Sequence, residues 1–141
     1  MSVASILQAK GSFVYSVSSK STVYEALLIM QQKNIGALVV IDDGNLVGIL
    51  SERDYARKII LHGKSSHETL VGEIMTANPV TIVASDSIET CMELMSQRKI
   101  RHLPVMEGDQ VAGMVSISDV VTRIIHSQRE TIEHLHQYIR Q

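Results

Sequence analysis

Gly48-Ile49-Leu50-Ser51-Glu52-Arg53-Asp54 returns 65 positions later as Gly113-Met114-Val115-Ser116-Ile117-Ser118-Asp119. The flanks return in the same register: Met30 with Met95, Gln32 with Gln97, Ile35 with Ile100, Leu38 with Leu103, Val40 with Val105. Ile59-Ile60 likewise meets Ile124-Ile125, and no gap is needed from Ser16 to Ile60. An accidental seven-residue match would not carry its surroundings along, so the chain is an internal duplication. The opening of each half also matches, Val3-Ala4-Ser5-Ile6-Leu7 with Val71-Gly72-Glu73-Ile74-Met75, but 68 positions apart. The first half therefore has a longer connection after its opening segment.

Both halves have the same pattern of elements. A short strand near residues 14–17 or 80–82 precedes a helix with apolar residues at Val23, Leu27 and Met30, or at Ile88, Met92 and Met95. Two apolar strands follow, at 37–41 and 46–50 and at 103–106 and 111–115. Asp43-Gly44 and Gly108-Asp109 separate them, the chemistry of tight hairpins. A second helix starts at Ser51 or Ser116. One β-α-β-β-α unit is too small to close a core alone. Two packed sheet to sheet would form one α/β (α+β) domain with pseudo-twofold symmetry. The expected division is a first motif over 1–66, a second over 67–126, and a C-terminal helical extension over 127–141, with the polar stretch 62–69 as the linker.

The 141 residues are 45% hydrophobic and 20% charged, the composition of a globular domain. With 13 Lys and Arg against 15 Asp and Glu, no basic excess points to nucleic acid. Neither a signal peptide nor an apolar membrane span is expected. The single Cys91 cannot form an internal disulfide, so a reducing, cytoplasmic location is expected.

The Ser-x-x-Asp at each strand-to-helix junction has two readings. It can cap the helix, the hydroxyl accepting a backbone N–H and the acid favouring the positive helix end. The same physics can serve a ligand. Free N–H groups and a hydroxyl hold phosphate, and a carboxylate accepts hydrogen bonds from a ribose diol. Taken alone, one such junction reads as a cap.

Gly-hydrophobic-hydrophobic-Ser-x-x-Asp twice over, with Arg101-His102-Leu103-Pro104-Val105 ahead of the second copy and Val71-Gly72-Glu73-Ile74-Met75-Thr76 opening it, resembles the cystathionine β-synthase (CBS) domain. A pair of these domains is a Bateman module, and the chain is similar to stand-alone bacterial CBS-pair proteins. The resemblance implies a regulatory module that binds an adenosine derivative such as AMP, ADP, ATP, NAD or S-adenosylmethionine. It implies Asp54 and Asp119 as ribose acids, with Ser51, Ser116 and Ser118 reaching sugar or phosphate. It implies an adenine slot at Tyr15, Ser16 and Val17 with Ala37 and Leu38, and another at Thr81 and Ile82 with Leu103 and Pro104. Arg101 and His102 match a basic pair that faces phosphate in the regulatory subunit of AMP-activated kinase. The first half has uncharged Gly36 and Ala37 there, and its nearby cations are Arg53 and Arg57. Two unequal sites are therefore expected, with the Asp119 site better suited to a monophosphate. Arg98 and Lys99 read as a solvated helix end.

No catalytic or metal constellation is visible. His134 and His136 point to different helix faces, and His67-Glu68 lacks the second histidine of a zinc helix. No phosphate loop is present, and Cys91 lies at core spacing with Ile88 and Met95. The expectation is a non-enzyme. Two functions stay open: a sensor that responds to an adenine nucleotide, or a ligand-independent module that dimerises and docks on an enzyme or transporter. Beyond the repeat, Ile125, Ile132 and Ile139 lie seven apart with Leu135 between them. That stripe could fold back on its own domain or pack on a partner chain; a homodimer is the expectation.

Overall fold

The computed structural model describes residues 1–140. The first repeat runs α1 (Val3–Lys10), β1 (Ser16–Val17), α2 (Val23–Lys33), β2 (Ala37–Asp42), β3 (Asn45–Ser51) and α3 (Glu52–Lys58), closing on a 3₁₀ turn at Ile60–His62. The second runs α4 (Val71–Ile74), β4 (Thr76–Ala77), β5 (Ile82–Val83), α5 (Ile88–Arg98), β6 (His102–Glu107), β7 (Gln110–Ser116) and α6 (Ile117–Arg140). One sheet has the order β1-β2-β3-β4 and the other β5-β6-β7, and β3 touches β7. The expected mixed α/β pair of motifs with a long last helix is what forms.

Local chemistry explains the shared elements. Thr22 and Ser87 cap α2 and α5, their hydroxyls accepting from the backbone N–H of Glu25 and Thr90. The first hairpin turns through Asp43 at φ 50° and Gly44 at φ 79°, the pair of positive φ values that a type I′ turn demands. In the second, only Gly108 has positive φ, at 61°. The strands β2 and β6 break register at the same point of the repeat, Val40/Ile41 and Val105/Met106. On α2 the buried face is Val23, Ala26 and Met30, and on α5 it is Ile88, Cys91 and Met95. Met92, expected on that face, is 47% exposed. Ile88 and Cys91 are three apart and Met95 lies seven from Ile88, so the stripe runs past Met92 on the neighbouring face.

The opening helices are exchanged between halves. Val3 and Ile6 of α1 lie in the core with Ile82, Leu103, Val105 and Val115 of the second half. Val71 and Ile74 of α4 lie in the core with Val17, Leu38, Val40 and Leu50 of the first. Backbone bonds hold the exchange symmetrically. Val3 N–H donates to the Asp86 carbonyl at 2.8 Å, and Val71 N–H donates to the Ser21 carbonyl at 2.8 Å. β4 then pairs antiparallel with β3 (Gly48 opposite Ala77), so the second repeat adds a strand to the first repeat's sheet.

Two symmetric glycines make room for these helices, on unequal terms. A Cβ on Gly48 would lie 2.6 Å from Met75 Sδ and 2.9 Å from the Thr76 carbonyl oxygen, which is backbone. A Cβ on Gly113 would meet Leu7 Cδ2 at 2.6 Å, the end of a flexible side chain. Gly48→Ala is therefore expected to destabilise the protein by about 1–3 kcal/mol. Gly113→Ala should cost clearly less. Urea denaturation of both variants reads the difference, and equal costs would contradict the packing described.

Candidate functional site

Each Ser-x-x-Asp forms at the start of a helix, and the register places both alike. Ala37 pairs with Ser51 on the β2–β3 ladder, and His102 pairs with Ser116 on β6–β7. The first helical N–H then donates back to the middle strand, Glu52 to the Gly36 carbonyl at 3.0 Å and Ile117 to the Arg101 carbonyl at 2.9 Å. Ser51 and Asp54 close a reciprocal capping box; the Asp54 N–H donates to Ser51 Oγ at 3.1 Å and the Ser51 N–H to Asp54 Oδ2 at 2.9 Å. Ser116 and Asp119 repeat it at 3.2 and 2.8 Å. The capping chemistry is thus present in both halves, with each carboxylate anchored for whatever else it does.

What surrounds the two acids differs. Asp54 Oδ2 also accepts from Ser51 Oγ at 3.1 Å, and its Oδ1 lies 3.2 Å from Lys58 Nζ, which donates to the Ile74 carbonyl of α4 at 2.8 Å. Asp119 Oδ2 is 2.8 Å from Nζ of Lys10, which also donates to the Met114 carbonyl at 2.9 Å. Among the described residues Asp119 Oδ1 accepts no hydrogen bond. Lys10 ends α1, so the exchanged opening helix of the first repeat reaches the acid of the second. Burial raises the Asp119 carboxyl, but the Lys10 hydrogen bond, the Ser116 N–H and the Lys10 charge together hold it below the ordinary carboxylate value.

Beside Asp119 a groove of about 420 Å³ opens between α1 and α6. Ile6, Ala9, Lys10, Ser118, Thr122, Arg123 and His126 line it with the acid. A second hollow, about 380 Å³, lies by Gly36 and Glu52 at the end of α2.

Of the residues expected to bind, Ser16, Thr81, Arg101 and Ser118 are exposed, and Tyr15, Ser51, Arg53, His102 and Ser116 are half-buried. Val17, Ala37, Leu38, Ile82, Leu103 and Pro104 are buried; Val17, Leu38, Ile82 and Leu103 belong to the two cores, so their side chains are committed to packing. Tyr15 packs edge-on to Phe13, with centroids 4.8 Å apart, and Lys33 Nζ sits 5.3 Å above its ring. Arg53 donates to the Lys99 carbonyl across the two halves at 3.0 Å. The His102 ring lies against Gly36, where a Cβ would be 3.6 Å from its Nε2. Lys10, Lys58 and Arg123 escaped the sequence reading. Lys58 follows Asp54 by four residues, a helical ion-pair spacing that could have been read. Lys10 has no local signal, being 109 residues from Asp119.

Burial pushes the His102 imidazole below its ordinary value of 6.5; the Asp119 charge opposes this, while Lys10 and Arg101 add to it. The shift favours the neutral ring, which leaves Arg101 as the permanent cation of the expected basic pair. A proton that the unfolded chain binds more readily makes stability rise with pH. The His102 contribution is thus complete above pH 6.5 and is lost as pH falls through the lowered folded value. Asp119 follows the same sign lower down, complete above 3.8 and lost below it. His102→Gln is expected to flatten the fall of Tm as pH drops below 6.5. A slope unchanged in this variant would assign the titration elsewhere.

The CBS domain profile matches residues 12–61 and again 71–126. The chain belongs to the CBS domain family. CBS domain-containing protein CBSX3, mitochondrial, of Arabidopsis thaliana is 43% identical over 136 residues, 93% of this chain and 66% of the relative's own length. A solved CBS-domain protein from Burkholderia ambifaria is 44% identical, with a TM-score of 0.88 over 91% of this chain and 96% of that one. The CBS domain pair of protein MJ0100, solved with 5′-methylthioadenosine and S-adenosyl-L-methionine, is 27% identical, with a TM-score of 0.77 over 91% and 98% of the two chains. The tandem CBS fold accounts for the repeat, the hairpins and the paired sheets. Among the described residues no group of three His, Cys, Asp or Glu could hold a metal ion, and no helix is long and apolar enough to cross a membrane.

Proposed function

We propose that this CBS pair is a sensor for an adenine-containing nucleotide of the AMP, ATP or NAD class, working from a cytoplasmic location, and that Asp119 carries its principal site. The observation that supports this most is Asp119 Oδ1, which accepts no hydrogen bond among the described residues, beside a cation-lined groove on a fold that holds two adenosine compounds in the MJ0100 pair. The ribose diol would donate to Asp119, and Lys10 with Arg123 would offset phosphate charge. Asp54 is the weaker acid for this purpose, since both its oxygens are engaged. Ligand in the groove touches α1, which completes the second core, and α6, which runs on to the C-terminal extension. That gives a route from binding to arrangement, provided affinity differs between two arrangements.

A thermal-shift panel of AMP, ADP, ATP, NAD, NADH and S-adenosylmethionine tests the reading. A true ligand at about 100 times its Kd adds about 2.7 kcal/mol of stability. A flat response to all six at millimolar concentration would favour the ligand-independent interaction module.

A further inference from the structure

The last helix carries a feature that nucleotide binding does not use. Along α6, Val121, Ile125, Gln128, Ile132, Leu135 and Ile139 follow one another at alternating steps of four and three residues, the seam of a heptad repeat. Val121 is 48% exposed, Ile125 44%, Ile132 54%, Leu135 56% and Ile139 77%. Every residue from 128 to 139 is exposed, so the chain's own module leaves this length uncovered. The first turns of α6 face inward instead, through buried Val120 and through Ile124 against the second core. At 3.6 residues per turn the seam lies roughly a quarter-turn around the helix from that inward face. A partner can therefore lie along the seam without displacing the module.

We infer that residues 121–139 pair with the same residues of a second copy as a parallel, in-register, two-stranded coil. Three features select this occupant. Ile125, Ile132 and Ile139 occupy the first seam position of successive heptads and Leu135 the second, the pairing that favours two parallel strands, with Val121 and Gln128 at the remaining second positions. Gln128 is the single polar residue in the seam. In a parallel in-register pair it meets its own copy and the two amides hydrogen-bond. In an antiparallel pair centred on the seam it faces Ile132 and finds no amide partner across the seam. The third feature is the flanking charge. Arg129 and His136 lie on one side of the seam and Ile124, Thr131 and Tyr138 on the other. Parallel pairing sets each flank against the opposite one, which carries no Lys, Arg, Asp or Glu, whereas the antiparallel pair centred on the seam brings Arg129 close to Arg129 of the second copy. Glu130 and Glu133 fall on the outer face, Glu130 3.0 Å from His126, and disfavour an anionic membrane surface as the occupant. This inference stands apart from the nucleotide reading and needs no ligand.

The test uses the full chain in two single variants, Ile125→Cys and Leu135→Cys, two seam positions that would face each other in the antiparallel pair centred on the seam. The native thiol, Cys91, is buried. Under mild oxidation each variant should form a covalent dimer with itself, and the wild type none. Cross-linking only when the two variants are mixed would show antiparallel strands and overturn the inference, as would no cross-linking at all. Analytical ultracentrifugation of Ile132→Asp gives an independent reading. Because the side chain is exposed, the fold should survive, and dimer dissociation should strengthen at least tenfold. A wild type that sediments as a monomer, or a dimer that Ile132→Asp leaves unchanged, would also overturn it.

Discussion

Ile6→Ala is expected to destabilise the second half of the molecule, although residue 6 belongs to the first repeat. The Ile6 side chain is 3% exposed and packs with Val3, Ile82, Leu103, Val105 and Val115. Truncating a buried isoleucine removes transfer free energy and leaves a cavity, together about 2–5 kcal/mol. Native-state hydrogen exchange locates the damage. The amides of α5, β6 and β7 should lose protection first, while β2 and β3 keep theirs. Ile74→Ala is the mirror test, since Ile74 is 2% exposed in the core of the first half. It should loosen β2 and β3 before β6 and β7. Loss confined to each residue's own repeat would contradict the exchange of opening helices.

The second large effect is on binding. Hydrogen bonds to a charged group contribute about 1.5–3 kcal/mol. Asp119→Ala should therefore weaken nucleotide binding at the proposed Asp119 site by about 10–150-fold in Kd. Asp54→Ala should change that site little, because Ser51 and Lys58 already engage both Asp54 oxygens. Both variants lose a capping box, at about 1 kcal/mol each, so comparing them cancels the shared loss of stability. Calorimetric titration with the nucleotide that gives the largest thermal shift measures both constants. Equal losses at the two positions would mean equivalent sites.

The fold was largely legible because its signals are local. The 65-residue repeat, the Asp43-Gly44 turn and the Ser-x-x-Asp junctions each depend on neighbours in sequence, and each formed where expected. The exchange of α1 and α4 was not legible. Two opening segments of equal apolar pattern would fill either core, and only the route of residues 11–15 and 76–81 decides which. The site was legible in part for the same reason. Ser51, Asp54, Ser116 and Asp119 announce themselves in one short motif, while Lys10 reaches Asp119 only because the helices cross over. The charge of His102 is likewise a tertiary property. The sequence offers an imidazole beside Arg101, and burial against the other half lowers its affinity for a proton. Met92 missed the core by one residue, where periodicity alone could not choose between Met92 and Cys91.

We propose one duplicated scaffold with two non-equivalent sites, in which Asp119 would hold the ribose. A crystal structure of the full chain with the nucleotide that stabilises it most tests this directly. The account predicts ribose hydroxyls within hydrogen-bonding distance of Asp119 Oδ1 and the phosphate end toward Lys10 and Arg123. A nucleotide whose ribose sits on Asp54 alone, or that lies away from both acids, would contradict it.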